Sequence, residues 1–563
     1  MIRFWGMWAL VFVLSSTAAR AQTDGLQQLD DAVQVFLQQQ HTLGHLPDAF
    51  LRQQPLSVEA AQAYLDSLAA LDSAQTVLAP ASRRRLQCLR GLCSNPRARW
   101  LNNRVGWLYE NGRDLVSASG DGYALQLNPL MYATYQPAQV SGAAGAPSAI
   151  WRNTRGVRVS GHIGEHLFFE SRLTENQEQR VRPNFSSTGR EGTAPRQGFV
   201  LRPAPNTLDY TGATGVVGFR SRFFEVRFGQ SRNRWSTGPG SLFLSDYATN
   251  YTHLQLRTTV GPVQYTNLFA RFVDGDRLAP QGNRVDAIQP RRYGAFHRLS
   301  INITDRLNVG LFESVIFAPE QDSTVSRTGF DLAYLNPIIF YRAVERDLGS
   351  PDNAMIGVDA SWIVTPGVQV YGQMLLDELL AKYIGDGWWS NKWGFMAGVH
   401  YVPPQWPAFS ARIEWARQRP YLGAHRFAGN GFAHWSDYLG HPAGPNSIDY
   451  AVFLKYRPAG PWQAGLNLSY TRRGRNTATQ NFGSDPTVPS TTRARDFGVD
   501  ILQGVRQARW IVEGHVGYEV LPGFFAEATL QAQGIDDAAE GVTRWVAPGL
   551  ALRWGLPFGS IRY

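Results

Sequence analysis

The 563-residue chain carries 54 Lys and Arg against 45 Asp and Glu, a formal net charge of +9, with aromatic residues at 12%. Past its N-terminus no run of about 18 or more apolar residues occurs, which excludes a transmembrane helix. Only Lys382, Lys392 and Lys455 are lysines, and the arginines lie scattered rather than in tracts, which argues against nucleic acid as a partner. Guanidinium forks suit the carboxylates or phosphates of an acidic polysaccharide or of lipid headgroups; a genomic base-composition bias produces the same excess.

Residues 1–21 read as a secretory signal peptide. Arg3 supplies the positive start, Phe4 to Val13 the apolar stretch, and Ala19-Arg20-Ala21 the A-x-A cleavage signal. The mature chain is expected to begin near Gln22 and to work outside the cytoplasm. No Cys follows the cleavage signal to take a lipid anchor.

Residues 22–105 read as a small helical element. Leu26, Leu29, Val33, Phe36 and Leu37 follow helical spacing. Ser57 stands as the N-cap of a further helix whose Ala61, Tyr64, Leu65, Leu68 and Leu71 make one apolar stripe. Because it precedes the first strand, this element is expected on the periplasmic side, placed to plug a lumen. Cys88 and Cys93, in "CLRGLC", suit a small disulfide loop in an exported chain. With no His beside them, two Cys cannot close a zinc site.

From 106 to 563 short segments alternate apolar and polar residues between turns, the pattern of a transmembrane β-barrel. Tyr450, Val452, Leu454 and Tyr456 alternate with Ala451, Phe453, Lys455 and Arg457. After "PAGP", Trp462, Ala464, Leu466, Leu468 and Tyr470 form the next apolar row, again bounded by aromatics as a lipid face requires. "VLPGF" joins a second hairpin, with Trp510, Val512, Val516 and Tyr518 outward before it and Phe524, Ala526, Ala528 and Leu530 after it. Short turns of such barrels are periplasmic and long loops extracellular. At about 25 residues per strand with its connection, the barrel holds about 16–18 strands. The aromatic terminus Tyr563, with Ile561 two residues earlier, suits an outer-membrane assembly signal.

Three stretches go beyond a generic barrel pattern. "RNRWSTGPGSLFLSDYA" (232–248) passes from turn residues into an apolar run. "YLNPIIFYRAVERDLGSPDNAMIGVD" (334–359) gathers Asn336, Arg342, Glu345, Arg346, Asp347, Asp352 and Asn353, read as a salt-bridge network that fixes a loop or constriction near the barrel interior. "VQVYGQMLLDELLAKY" (368–383) is a strand whose inward set is Gln369, Tyr371, Gln373, Leu375 and Asp377. Asp377 and Glu378 point to opposite faces and cannot form an acid–base couple. In the lumen Asp377 is expected to pair with Arg or to touch a ligand.

Taken with "HPAGPNSIDY", these stretches resemble the Wzi family of capsule-assembly outer-membrane proteins. The resemblance rests on W-x-x-G-P-G-S-L-x-L-S, on N-P-x-x-x-Y-R-x-x-E followed by G-S-x-D-N, and on Y-G-Q-x-x-x-D-E, across about residues 230–450. It implies a barrel of about 18 strands with a periplasmic helical element. It also implies a lectin-like, non-catalytic role in holding surface polysaccharide, with outer-membrane lipid as the other partner. No cofactor or metal is expected.

Candidate saccharide contacts follow from chemistry and position. Trp388, Trp389 and Trp393 lie in or beside an extracellular loop, where aromatic faces suit sugar rings or, alternatively, anchor an interfacial girdle. Trp435, His441 and Asn446 lie in another such loop, with Pro442 and Pro445 ordering it. Arg342 and Asp377 complete the set. His434 and His441 lack the helical spacing of a zinc protease, and Ser447 lacks a G-x-S-x-G setting.

Overall fold

Strands that alternate faces can bury one row and solvate the other, and a membrane accepts them only if the sheet closes. The computed structural model describes residues 26–27, 32–93, 95–181, 193–201, 204, 206–275, 290–322, 325–326, 329–337, 340–348 and 352–558. In it the alternating segments pair as one closed antiparallel barrel of 18 strands. The first strand runs Tyr123–Pro137 and continues as Gln139–Ser141; the last, Gly541–Trp554, closes onto it through Leu550 opposite Tyr135 and Arg544 opposite Ser141. The cleavage signal at 19–21, Leu29, and the terminal Ile561 and Tyr563 lie outside the described residues. No described helix is long and apolar enough to cross a membrane.

The outward rows match the sequence reading. Along Ser447–Tyr456, Tyr450 is 49% exposed while Asp449 and Ala451 are buried. On Trp462–Arg475 the outward Trp462 and Tyr470 bracket Leu466 and Leu468. Their eight-residue separation spans about 27 Å along the strand; a tilt of about 40° makes it about 20 Å, close to an apolar band of ~25 Å. Connections at one end are short, as at 221–223, 261–262, 305–306, 366–367 and 522–523. At the other end they are long, as at 180–206, 232–250, 318–352, 419–446 and 476–504.

Helices α1 (Ala32–Thr42), α2 (Val58–Gln75), α3 (Pro80–Leu89) and α4 (Pro96–Arg104) gather at the short-turn end. Their core joins Val33, Phe36 and Leu37 to Ala61, Leu65 and Leu68, and Ser57 caps α2 by accepting from the Ala60 N–H. Cys88 and Cys93 are disulfide-bonded at the end of α3, with Cα atoms 4.5 Å apart. The element reaches into the barrel. Thr42 Oγ1 lies 2.8 Å from His400 Nδ1, the Gly367 N–H donates to the Thr42 carbonyl, and Arg227 donates to the carbonyl of Pro55. Arg52 and Arg298, both on the inside, share the carboxylate of Asp359, the second at 2.8 Å.

From the opposite end the 232–250 loop drops into the same lumen. Its Arg234 and Trp235 pair as a short antiparallel ladder with Gln54 and Gln53. Trp235, Leu242, Phe243 and Leu244 are fully buried against the inward Phe272, Phe296, Phe312, Met355, Leu375 and Met396. The rings of Phe243 and Phe312 stack at 4.4 Å. An apolar core therefore fills one half of the lumen.

The 334–353 charges do not line the interior. Phe312 and Arg298 face inward, so their neighbours Glu313 and His297 face outward, as does Asn267 opposite His297. All three are buried, because residues 329–337 and 340–348 fold down over the outside of the wall. There α5 (Tyr341–Asp347) stacks Tyr341 on His297 at 3.8 Å and sends the Arg342 N–H to Glu313 at 3.0 Å. Tyr265, two residues from a short turn, donates to the carbonyl of Pro337. A polar outward row has to be covered, and this strap covers it.

Asp359→Ala leaves two buried guanidinium groups without their carboxylate. It is expected to cost about 3–5 kcal/mol, read as a lower urea midpoint for the detergent-solubilised protein. Arg52→Met removes only the helical element's share, so α3 becomes trypsin-sensitive at Arg83–Arg85 while the barrel stays intact. Unchanged protection in both variants would contradict this docking.

Candidate functional site: the long-loop mouth and the lumen

Main chain buried inside a barrel needs partners for every N–H and C=O, and the polar loop residues serve that need first. The turn at Gly238–Pro239–Gly240 presses on the wall: a Cβ at Gly238 would lie 1.8 Å from Glu414 Oε1, and one at Gly240 3.0 Å from Glu414 Oε2. Glu414 accepts from the Gly240 N–H at 3.0 Å and from Tyr371 Oη at 2.7 Å. Gln373 donates to the Trp235 carbonyl and accepts from the Leu242 N–H, both at 2.8 Å. Ser245 donates its hydroxyl to the Gly440 carbonyl at 2.6 Å. The W-x-x-G-P-G-S, Y-G-Q and "HPAGPN" stretches thus meet as parts of one plug.

His441 and Asn446 are wholly buried. His441 Nδ1 accepts from the Ala443 N–H at 3.3 Å, and its Nε2 lies 3.9 Å from Asp449, which also accepts from Thr471. Asn446, at φ +57°, donates to the carbonyls of Gly474 and Gln503, each at 2.8 Å, and accepts from the Leu502 N–H at 2.6 Å. It ties the 419–446 loop to the 476–504 loop. Trp435 lies half-buried, with its indole beside Gly198, where a Cβ would come within 2.9 Å of Nε1.

Asp377 faces inward but finds Lys392 rather than Arg. Lys392 Nζ lies 2.9 Å from Asp377 and 3.4 Å from Glu378, and donates to the Ala424 carbonyl at 3.0 Å. A register shift between Leu376 and Glu378 lets one ammonium reach both carboxylates. Trp393 stands on the outward row beside Phe395, the position of an interfacial girdle, with Arg417 over its ring at 5.8 Å. Arg342 lies on the outer strap, 60% exposed and 3.7 Å from Glu345.

Trp388 and Trp389 remain at the mouth. Trp388 packs between Tyr383 at 4.9 Å and Phe497 at 4.8 Å. Trp389 meets Tyr421 edge-on at 6.1 Å and carries Arg493 over its face at 4.3 Å. Phe497 is 47% exposed. The eight candidates therefore do not form one site. Among the described residues no group of three or more His, Cys, Asp and Glu could hold a metal ion.

A second feature went unread in the sequence. The half of the lumen left by the plug contains a cavity of about 410 Å³. Inward Tyr132, Arg152, Glu170, Arg172, Asn176, Glu178 and Tyr210 line it, with Arg232 and Asp246 from the plug loop. Arg172 pairs with Glu170 at 2.7 Å, and Glu178 pairs with Arg180 and accepts from Tyr210. The signal was present in Glu170, Arg172, Thr174, Asn176 and Glu178 at period two. It was blurred because the opposite row also turns polar at Glu175 and Gln177.

Burial pushes the Asp437 carboxyl up to about 7, although the Arg196 N–H at 2.8 Å and the Arg232 guanidinium pull the other way.

A closed antiparallel barrel with a half-filled lumen and an aromatic-bounded apolar exterior has the fold of outer-membrane β-barrels. No family model matches the chain, and no curated protein matches it. Among solved structures it is similar to Wzi of Escherichia coli, described as an outer-membrane protein involved in group 1 capsule assembly and a carbohydrate-binding β-barrel. The identity is 15%, covering 93% of this chain and 98% of that one, with a TM-score of 0.50. At that identity the similarity is one of fold, and it agrees with the motif resemblance. OprD of Pseudomonas aeruginosa (9% identity, 76% and 94% covered, TM-score 0.38) and OccK9 of the same organism (11%, 77% and 98%, 0.41) also match.

Asn446→Ala is expected to loosen both loops by about 1–3 kcal/mol, so the Leu502 amide exchanges faster, roughly tenfold per 1.4 kcal/mol. Unchanged exchange would contradict the tie. For Asp437 the folded state holds its proton to higher pH than the unfolded chain does. Packing of the 433–438 hairpin is therefore tightest below about pH 4 and weakens as pH rises through about 7. Asp437→Asn should flatten the difference in hairpin protection between pH 5 and pH 8.

Proposed function

We propose that the protein is a non-catalytic outer-membrane barrel that binds and retains surface polysaccharide. The helical element lies on the periplasmic side, and the long loops face the medium. One observation carries the choice of binding over free diffusion: the apolar plug around Trp235, Leu242, Phe243 and Leu244 fills half the lumen and is joined to the helical element from below. A diffusion channel needs a continuous polar path, and a core packed like a protein interior does not conduct. The carbohydrate-binding description of the structurally similar Wzi barrel supports the same reading.

At the mouth, Trp388, Trp389 and the exposed Phe497 form an aromatic surface that suits the C–H faces of sugar rings. His441 and Asn446 hold the loops beneath it. The alternative, a saccharide channel, draws on the cavity of about 410 Å³ beside the plug.

Two measurements decide between them. In planar bilayers the wild-type protein is expected to show no steady conductance, and deletion of residues 236–246 to create it. Trp388→Ala and Trp389→Ala are each expected to weaken polysaccharide binding about five- to tenfold, for an aromatic contact of about 1 kcal/mol. Steady wild-type conductance with no polysaccharide binding would overturn the proposal in favour of the channel.

A further inference from the structure

The lumenal cavity is a charged one. Among the described lining residues seven arginines (Arg152, Arg172, Arg180, Arg196, Arg232, Arg234, Arg509) stand against Glu170, Glu178 and Asp246, an excess of guanidinium over carboxylate. The carboxylates of Glu170 and Glu178 are already engaged. Glu170 takes Arg172 at 2.7 Å and Arg158 at 3.0 Å, and Glu178 takes Arg180 with Tyr210 donating at 3.1 Å. The surplus positive charge sits elsewhere. Arg232 donates to main-chain carbonyls, of Arg196 at 2.7 Å and of Asp246 at 3.5 Å, with the carboxylates of Asp246 and Asp437 nearby. Arg152 donates to Thr154 at 3.0 Å and lies over the Tyr132 ring at 5.3 Å.

From this we infer that the cavity is a binding site for an anionic saccharide, entered by a carboxylate- or phosphate-bearing sugar of the retained polysaccharide. The inference rests on the proposed polysaccharide-binding function and gives it a lumenal subsite and a ligand charge. Three features fit the ligand. A concave wall in which guanidinium groups outnumber carboxylates focuses the field on an entering anion. Guanidinium groups offer paired donors matched to carboxylate and phosphate oxygens. Tyr132 and Tyr210 add aromatic faces, and Asn176, Gln531 and Gln533 add neutral partners for hydroxyls. The volume of about 410 Å³ falls within the ~300–1,000 Å³ of small-molecule sites.

The test is calorimetric titration of the full-length protein in detergent with digalacturonate, glucose 1-phosphate and maltose, at low and high NaCl. At least one anionic probe is expected to bind ten times or more tighter than maltose, with affinity falling as salt rises; the tighter of the two identifies the anion. R152Q and R232Q are each expected to weaken that binding about tenfold. R232Q lies in a loop rather than in the wall, so its effect stands if R152Q fails to fold. Equal binding of maltose, or full anionic affinity in both variants, would overturn the inference. So would binding of whole polysaccharide by a protein that takes neither anionic probe, and that result leaves the proposed function standing. Failure to bind polysaccharide and probes alike removes both.

Discussion

The turn at Gly238–Pro239–Gly240 is the constraint on which the filled lumen depends. Two glycines let main chain close on the Glu414 carboxylate, where a Cβ at Gly238 would collide with it and one at Gly240 would crowd it. Gln373 then fixes the chain on both sides of the turn, at Trp235 and at Leu242. Once that backbone is held, Trp235, Leu242, Phe243 and Leu244 can enter only the lumen. Burying each such side chain contributes about 1.5–3 kcal/mol, enough to hold a loop inside a barrel that would otherwise be wet. The same placement presents Arg234 and Trp235 to Gln54 and Gln53. The plug from one end and the helical element from the other therefore meet as one ladder.

What the plug leaves open follows from the inward rows of the wall. Strands between Tyr251 and Gln418 turn Phe272, Phe296, Phe312, Met355, Leu375 and Met396 inward, and the loop packs on them. Strands between Tyr123 and Arg220 turn Gln136, Arg152, Glu170, Arg172, Asn176 and Glu178 inward, and water or a polar ligand suits them. One barrel thus holds a dry half and a charged half. The division is written in side-chain chemistry, two residues at a time along each strand.

The wall was legible in the sequence because lipid demands a strict outer row. Tyr450, Leu466, Trp510 and Leu530 read correctly, as did the inward set from Gln369 to Asp377. Ser57 was legible as a cap for the same local reason. The site was not legible, because polarity in a loop has two causes. His441 and Asn446 looked like ligand contacts, yet they satisfy main chain inside a buried loop. Asp377 reads as a partner for arginine or a ligand, and only the register shift beside it brings Lys392 within reach. Arg152 and Arg232 line one cavity from elements far apart in the chain, a combination no spacing encodes.

The outer strap shows the lipid rule obeyed by an indirect route. Asn267, His297 and Glu313 occupy outward positions that face hydrocarbon in an ordinary barrel, where polar groups without partners are costly. Instead Tyr334 and Tyr341 pack over them, and the Arg342 N–H satisfies Glu313. The strap then exposes Phe340 at 76% and Leu332 at 74%, so the apolar surface reappears one layer further out. Tyr341, Arg342 and Glu345, conspicuous as a motif, are thereby accounted for. They build a second skin over a polar patch of wall, apolar on its outer side.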